Sequence, residues 1–407
     1  MAGIVYTFGP FRLEADERRL LRDEALVPLV GKAFDTLVLL VERAGTLQKQ
    51  RSLLDQLWPD VVVELNSLQY NVSVVRRALG GAPGVEIQTV RGQGYRLVAD
   101  VRRTEIDGTP TSGARAPEPS LPFEPQRSYF CKAADGVRLG YATLGHGPPL
   151  VKAAHWLSHL ELDWDSPVWT PWIELLGRGR CLIRYDARGN GMSDWNPQEL
   201  SFEAFVSDLG AVFDAAGVER APLLGMSQGA AVAASYAARY PARVSGLVLI
   251  GGCARGWRVK AKPALTQRFE ALMVLVRQGW GADHAGFRQL FTAAFLPDGP
   301  QHCVDWFNEL QRLTTTPDNV ARLLSTLGDV DVTRELRAVR CPTLVLHSRG
   351  DMVVPFKDGI ELASGIPGAR FVPLDSKNHV LHADERAWGR LGDEIAGFLA
   401  EIGDRGG

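Results

Sequence analysis

The chain has 407 residues, a length that favours two or more domains. Its 45% hydrophobic and 23% charged residues are ordinary for a globular protein and speak against a disordered or fibrous chain. Forty-five Lys and Arg nearly balance 47 Asp and Glu, so total charge points to neither nucleic acid nor a membrane surface, and no apolar run of about 18 residues predicts a span. Residues 4–30 then read as short strands with turns. Phe8-Gly9-Pro10-Phe11 and Leu13 precede a charged stretch from Glu14 to Arg19, followed by Leu20-Leu21 and Leu26 to Val30.

Helical spacing begins at Ala33. Phe34, Leu37, Leu40 and Val41 line one face, and Gly45 stops it. A second helix is predicted over Gln48 to Leu57, ending at Trp58-Pro59. A third runs from about Ser67 to Leu79, with Leu68, Val72, Val75 and Leu79 as its apolar stripe. Gly80-Gly81 ends it. A hairpin is predicted next, Val85 to Val90 and Tyr95 to Val98 around Arg91-Gly92-Gln93-Gly94. Five cysteines (131, 181, 253, 303 and 341) stand at no metal-ligand or redox-pair spacing. A reduced cytoplasmic protein is expected, and no signal peptide, because Met1-Ala2-Gly3-Ile4 leads straight into a strand.

Strands, three helices and a C-terminal hairpin resemble the winged-helix effector domain of OmpR/PhoB-type regulators. The marks are Phe8-Gly9-Pro10-Phe11, Lys32 to Leu37, Leu57-Trp58-Pro59, Arg76-Arg77-Ala78-Leu79 and Thr89 to Arg96. The resemblance covers residues 4–100 and implies double-stranded DNA as partner, with the third helix in the major groove and the wing in the minor groove. By position it implies that Asn66, Ser67, Tyr70, Asn71 and Val74 face DNA, with Arg77 and Arg91 near phosphates. The family binds as tandem or paired copies, so a homodimer is among the expected forms. Tyr70 and Val74 stand where the family usually has basic residues. Residues 61–103 hold six arginines (76, 77, 91, 96, 102, 103) against three acids (Glu64, Glu86, Asp100), a surplus of three. Association with another protein is the alternative use of this domain. Residues 104–128, rich in Pro, Thr and Ser, are expected to be a flexible linker between a domain at 1–103 and one at 129–407.

From Ser128 onward strand and helix alternate, which predicts a mostly parallel sheet covered on both faces. Strands fit Tyr129–Ala133, Val137–Leu144, Leu150–Ala154, Cys181–Tyr185, Ala221–Leu224, Val244–Ile250, Thr343–His347 and Ala369–Pro373. Residues 255–330 interrupt the rhythm with aromatic-rich helical segments and read as a lid. Most of these aromatics are expected to pack between helices, and a few to line an apolar pocket.

Gly225-Met226-Ser227-Gln228-Gly229 lies between an apolar strand and a small-residue helix. This is the nucleophile-elbow spacing, in which a strained serine is lifted over a helix N-terminus. A serine nucleophile needs an acid and then a histidine later in the chain. His379 follows a strand in a polar loop and is the expected base, with His382 as rival; His347, at an apolar strand end, reads as a packed histidine. Asp351, after the strand Thr343–His347, is the expected acid, with Asp375 and Asp329 as alternatives.

These motifs resemble the α/β-hydrolase family over residues 129–402. The match includes Asp186-Ala187-Arg188-Gly189-Asn190-Gly191-Met192-Ser193-Asp194, the elbow, Cys341 to His347, and Asn378-His379-Val380-Leu381. The resemblance implies an oxyanion hole built from the Gln228 backbone N–H and a second from the loop after the third strand. By alignment on the strand, Trp156 supplies that second N–H, although Ala154-His155-Trp156 lacks the family's His-Gly. The serine speaks against relatives with a carboxylate nucleophile. It favours acyl transfer to water from a small ester, lactone or thioester, or cleavage of a carbon–carbon bond beside a ketone.

No dinucleotide or phosphate-loop motif and no metal-ligand cluster is present, so neither cofactor nor metal is expected. The predicted fold class is a doubly wound, mostly parallel α/β sheet with a helical lid, preceded by a small α+β winged helix. The predicted function is a DNA-binding regulator fused to a serine hydrolase. An esterase or lactonase whose winged helix mediates association, and a ligand sensor without turnover, are the alternatives.

Overall fold

The computed structural model describes residues 3–27, 29, 31–57, 65–90, 92–106, 126–164, 166–280 and 286–404. The chain divides into two compact units, Met1–Pro119 and Ser120–Gly407. In the first, β1 (Gly3–Phe8), β2 (Phe11–Glu14), β3 (Arg19–Arg22) and β4 (Ala25–Val27) form an antiparallel meander. Helix α1 (Gly31–Glu42), strand β5 (Gln48–Lys49), α2 (Gln50–Leu57) and α3 (Leu65–Leu79) follow. The hairpin β6 (Glu86–Val90) and β7 (Gly94–Val98) pairs with β5, and β8 (Val101–Ile106) returns to β1. Phe8, Phe11, Phe34, Leu37, Leu40, Leu53, Leu68, Val72 and Val75 share one core, so the apolar stripes predicted on the helices are the faces that pack. The Trp58-Pro59 end of the second predicted helix, and Arg91, lie outside the described residues.

Both ends of the segment expected as a linker, 104–128, lie in strands. Thr104, Glu105 and Ile106 pair with Val5, Ile4 and Gly3 in β8, and β9 (Arg127–Lys132) takes in 127 and 128. Residues 107–125 lie outside the described residues.

The second unit continues with β10 (Arg138–Leu144), β11 (Pro149–Lys152), α4 (Leu160–Trp164), α5 (Thr170–Gly177), β12 (Cys181–Tyr185), α6 (Phe202–Ala215), β13 (Ala221–Met226), α7 (Gln228–Arg239) and β14 (Val244–Ile250). Then come α8 (Pro263–Gly279), α9 (Gly286–Phe295), α10 (Gln301–Thr314), α11 (Pro317–Gly328), α12 (Thr333–Leu336), β15 (Thr343–Ser348), α13 (Phe356–Gly365), β16 (Arg370–Leu374) and α14 (Arg386–Asp404). The sheet order is β16-β15-β14-β13-β11-β12-β10-β9, parallel from β12 to β16 and antiparallel at β9 and β10.

The central strands read as unbroken apolar runs because helices cover both faces; every residue of β15 is buried. Helix starts are fixed locally, as where Ser201 caps α6 by accepting the Ala204 N–H and Thr316 caps α11 by accepting that of Asn319. From β11 the chain passes to β12 on one side, and β13 lies on the other. That reversal makes the C-terminal ends of β11 and β13 the switch point, the place where open α/β sheets hold their sites. Helices α8 to α11 form the insertion between β14 and β15.

Candidate active site

Ser227 joins β13 to α7 at φ +53 and ψ −123, a conformation that a serine adopts only where the surroundings impose it. Glycines make this turn possible. A Cβ at Gly225 would run into the Gly229 carbonyl and lie 2.7 Å from Ala230 Cα, and one at Gly229 would lie 2.5 Å from the Ala154 carbonyl oxygen. The second contact brings the start of α7 against the loop that follows β11.

The loops after β15 and β16 bring the other two groups to the same sheet edge. Ser227 Oγ donates to His379 Nε2 at 2.9 Å, and His379 Nδ1 donates to Asp351 Oδ2 at 2.6 Å. Oδ1 of Asp351 accepts the backbone N–H groups of Val353 and Val354, both at 2.8 Å. Burial alone would raise the Asp351 pKa. The His379 charge and hydrogen bond, with the Val354 N–H, outweigh it and hold the carboxyl below its ordinary 3.8.

His347 is fully buried, 3.6 Å from Asp351 Oδ2, and its Nε2 donates to the Val354 carbonyl. Burial lowers its pKa, so it is neutral and braces the acid's loop. The rival base His382 bonds Glu385 through its backbone. Asp329 is exposed and pairs with Arg258, and Asp375 is exposed.

Gln228 opens α7, and Trp156 lies in the β11 loop. The Trp156 ring stacks on Phe291 of α9 at 6.4 Å and meets Trp280 edge-on. Phe295, the last residue of α9, does more. Its carbonyl accepts the N–H of His379 at 2.9 Å, and its ring meets the imidazole edge-on at 5.1 Å. The lid aromatics therefore divide: Trp257 and Phe269 stack on each other, while Phe291 and Phe295 reach the proposed chemistry. Phe295 is 84 residues from His379, and no motif announced it. Lys152 and Leu157 in the β11 segment were likewise not singled out, and Asp186, which opens a matched motif, was given no role in holding that loop. Lys152 carried a readable signal, a charge inside an apolar strand. Among the described residues no group of three or more His, Cys, Asp or Glu is placed to hold a metal ion.

In the first unit the structure corrects one position of the expected DNA-reading face: Asn71 is 4% exposed, while Val74 is half-buried. The cause is helical spacing: residue 71 is three beyond Leu68 and four before Val75, both fully buried, so it falls on the packed stripe. Asn66, Ser67, Tyr70 and Arg77 lie on α3, but their side chains are outside the described set. Arg76 ties α3 to the wing, donating to the Ile87 carbonyl at 2.6 Å and to Thr89 Oγ1 at 2.7 Å.

Comparison with known proteins agrees with this division. A family model described as the alpha/beta hydrolase fold matches residues 160–298. One described as the transcriptional regulatory protein, C terminal, matches residues 23–97. The AB hydrolase superfamily protein YisY of Bacillus subtilis (strain 168) is 28% identical over 272 residues, 63% of this chain and 94% of that protein. A non-heme haloperoxidase of Rhodococcus erythropolis is 28% identical over 251 residues, 58% of this chain and 86% of that one. The crystal structure of a hydrolase from Pseudomonas aeruginosa PA01 superimposes with a TM-score of 0.56 at 25% identity, covering 67% of this chain and 98% of its own. An esterase from Exiguobacterium antarcticum matches in fold, with a TM-score of 0.57 at 22% identity, 67% of this chain and all of that one. The chain thus carries a segment that matches the C-terminal domain of transcriptional regulatory proteins, followed by a domain of α/β-hydrolase fold.

Proposed function

We propose that the second unit is a serine hydrolase acting on a small acyl compound, an ester or lactone, and that the first unit binds double-stranded DNA as its output. The observation that carries the chemistry is the hydrogen-bonded series Ser227 Oγ, His379 Nε2, His379 Nδ1 and Asp351 Oδ2. Ser227 Oγ attacks the acyl carbon while His379 Nε2 takes its proton, and Asp351 holds the tautomer and steadies the imidazolium. The backbone N–H groups of Gln228 and Trp156 meet the oxyanion, and His379 returns the proton to the leaving group. Water, deprotonated by the same nitrogen, then releases the acid and restores Ser227. Every bond change is served by groups of this chain, so no cofactor or metal is assigned a role. A sensor without turnover has no need of this complete series, and for that reason we place it second.

The test is p-nitrophenyl ester hydrolysis across acyl lengths by the whole protein and by Ser227→Ala. Turnover that falls by about 10⁴-fold or more in the variant is the expected result. Equal turnover in both proteins refutes Ser227 as nucleophile. Gel shifts on random-sequence duplex at rising salt test the first unit. No helix of the described residues is long and apolar enough to cross a membrane, and a cytoplasmic location is proposed to match DNA as partner.

A further inference from the structure

The segment from Lys152 to Leu160 carries more constraint than packing requires. Leu157 is fully buried at φ +47, a conformation that a branched residue keeps only where its neighbours over-determine the backbone. Two buried ionisable side chains do this. Asp186, just past β12, accepts the Ser158 hydroxyl at 2.6 Å and the Leu160 N–H at 2.9 Å. Lys152, the last residue of β11, bridges the other side of the loop, with Nζ 2.7 Å from His155 Nδ1.

Lys152 and His155 are 7% and 5% exposed. A buried lysine is costly, and an alkyl side chain would extend the apolar strand without that cost. Burial, and then the Lys152 charge, push the His155 pKa well below its ordinary value. The imidazole is therefore neutral; its Nδ1 lone pair accepts from Lys152, and the ring proton sits on Nε2. The ring packs edge-on against Trp169 at 4.2 Å. The charges of Asp163 and Asp186 favour the charged lysine, but it is Arg184 that makes the direct ion pair with Asp163, at 3.2 Å. Lys152 spends its contact on His155, the residue before Trp156.

We infer that Lys152 is a positioning residue: by donating to His155 Nδ1 it locks the loop that presents the Trp156 N–H to the oxyanion. The side-chain bond does the work of the glycine that this loop lacks. The inference rests on the serine-hydrolase proposal and adds to it a residue outside the triad.

The experiment compares the whole protein with Lys152→Met, His155→Phe and His155→Gln. It reads kcat and KM on a p-nitrophenyl ester, and inhibition by an alkylboronic acid, whose tetrahedral adduct with Ser227 places an oxygen in the hole. Folding is checked by thermal melting. Lys152→Met and His155→Phe are expected to lower kcat by about 10–100-fold with KM changed less than about threefold, and to weaken the boronate by a similar factor. His155→Gln, whose amide oxygen can accept from Lys152, is expected to keep most activity. Unchanged kcat and boronate affinity in folded Lys152→Met overturn the inference. Should that variant not fold, the His155 pair decides: equal effects of Phe and Gln overturn it. A parent protein inert toward both ester and boronate overturns the serine-hydrolase proposal and the inference together.

Discussion

Asp351 shows how one residue's surroundings set its task. Oδ1 is saturated by two backbone N–H groups, which leaves Oδ2 for His379 at 2.6 Å. An asparagine would place an amide nitrogen or a weaker acceptor there and favour the wrong imidazole tautomer. Asp351→Asn is therefore expected to lower kcat by about 10⁴-fold, measured on the best p-nitrophenyl ester, with little change in KM. The same carboxylate leaves a signature in stability. Its folded pKa is depressed below the ordinary 3.8. The stabilisation it gives is complete above that value and is lost as pH falls through the folded value, where the native state finally takes up the proton. Below the ordinary value, Asp351→Asn should lose stability less steeply than the parent in urea melts stepped down in pH. Equal slopes would mean that the carboxylate is not held by His379.

At the scale of elements, the elbow and the lid each make a sharp demand. Gly229 touches the Ala154 carbonyl, a backbone group that cannot swing aside. Gly229→Ala is expected to cost about 1–3 kcal/mol in denaturant melts, and to lower kcat because α7 is pushed off the oxyanion loop. Phe295 ends α9 with its ring against His379 and is 7% exposed, so Phe295→Ala should cost about 3–5 kcal/mol and lower kcat as well. A variant destabilised with unchanged kcat would make α9 simple packing. These two elements differ in how legible they were. The elbow, the acid loop and the histidine loop each follow an apolar strand and carry their residue within a short motif, so spacing alone places them on one sheet edge. The strands Cys181–Tyr185 and Val244–Ile250 match their expected bounds for the same reason. Phe295 makes its contact with His379 through a pairing that no local pattern encodes, whereas Lys152 stands out only as a charge inside an apolar strand. On α3, the position matched to the family puts Asn71 on the reading face. Its place between Leu68 and Val75 buries it, since helical phase outweighs polarity.

For the whole molecule, the first unit must make its case by charge, because total charge is nearly balanced and residues 61–103 hold a surplus of only three positive charges. DNA affinity falls with salt in proportion to the phosphates neutralised, with a slope of about −0.9 per phosphate. About three contacts per copy give a slope near −3 for log K against log salt, and paired copies give one about twice as steep. Gel shifts at several salt concentrations read the slope directly, and Arg91→Ala should make it shallower by about 1. Ser227→Ala should leave it unchanged, because that substitution removes turnover without touching a charge. A slope of about zero in the parent would assign the first unit to protein association, since a winged helix that neutralises no phosphates has no other general source of affinity for a duplex.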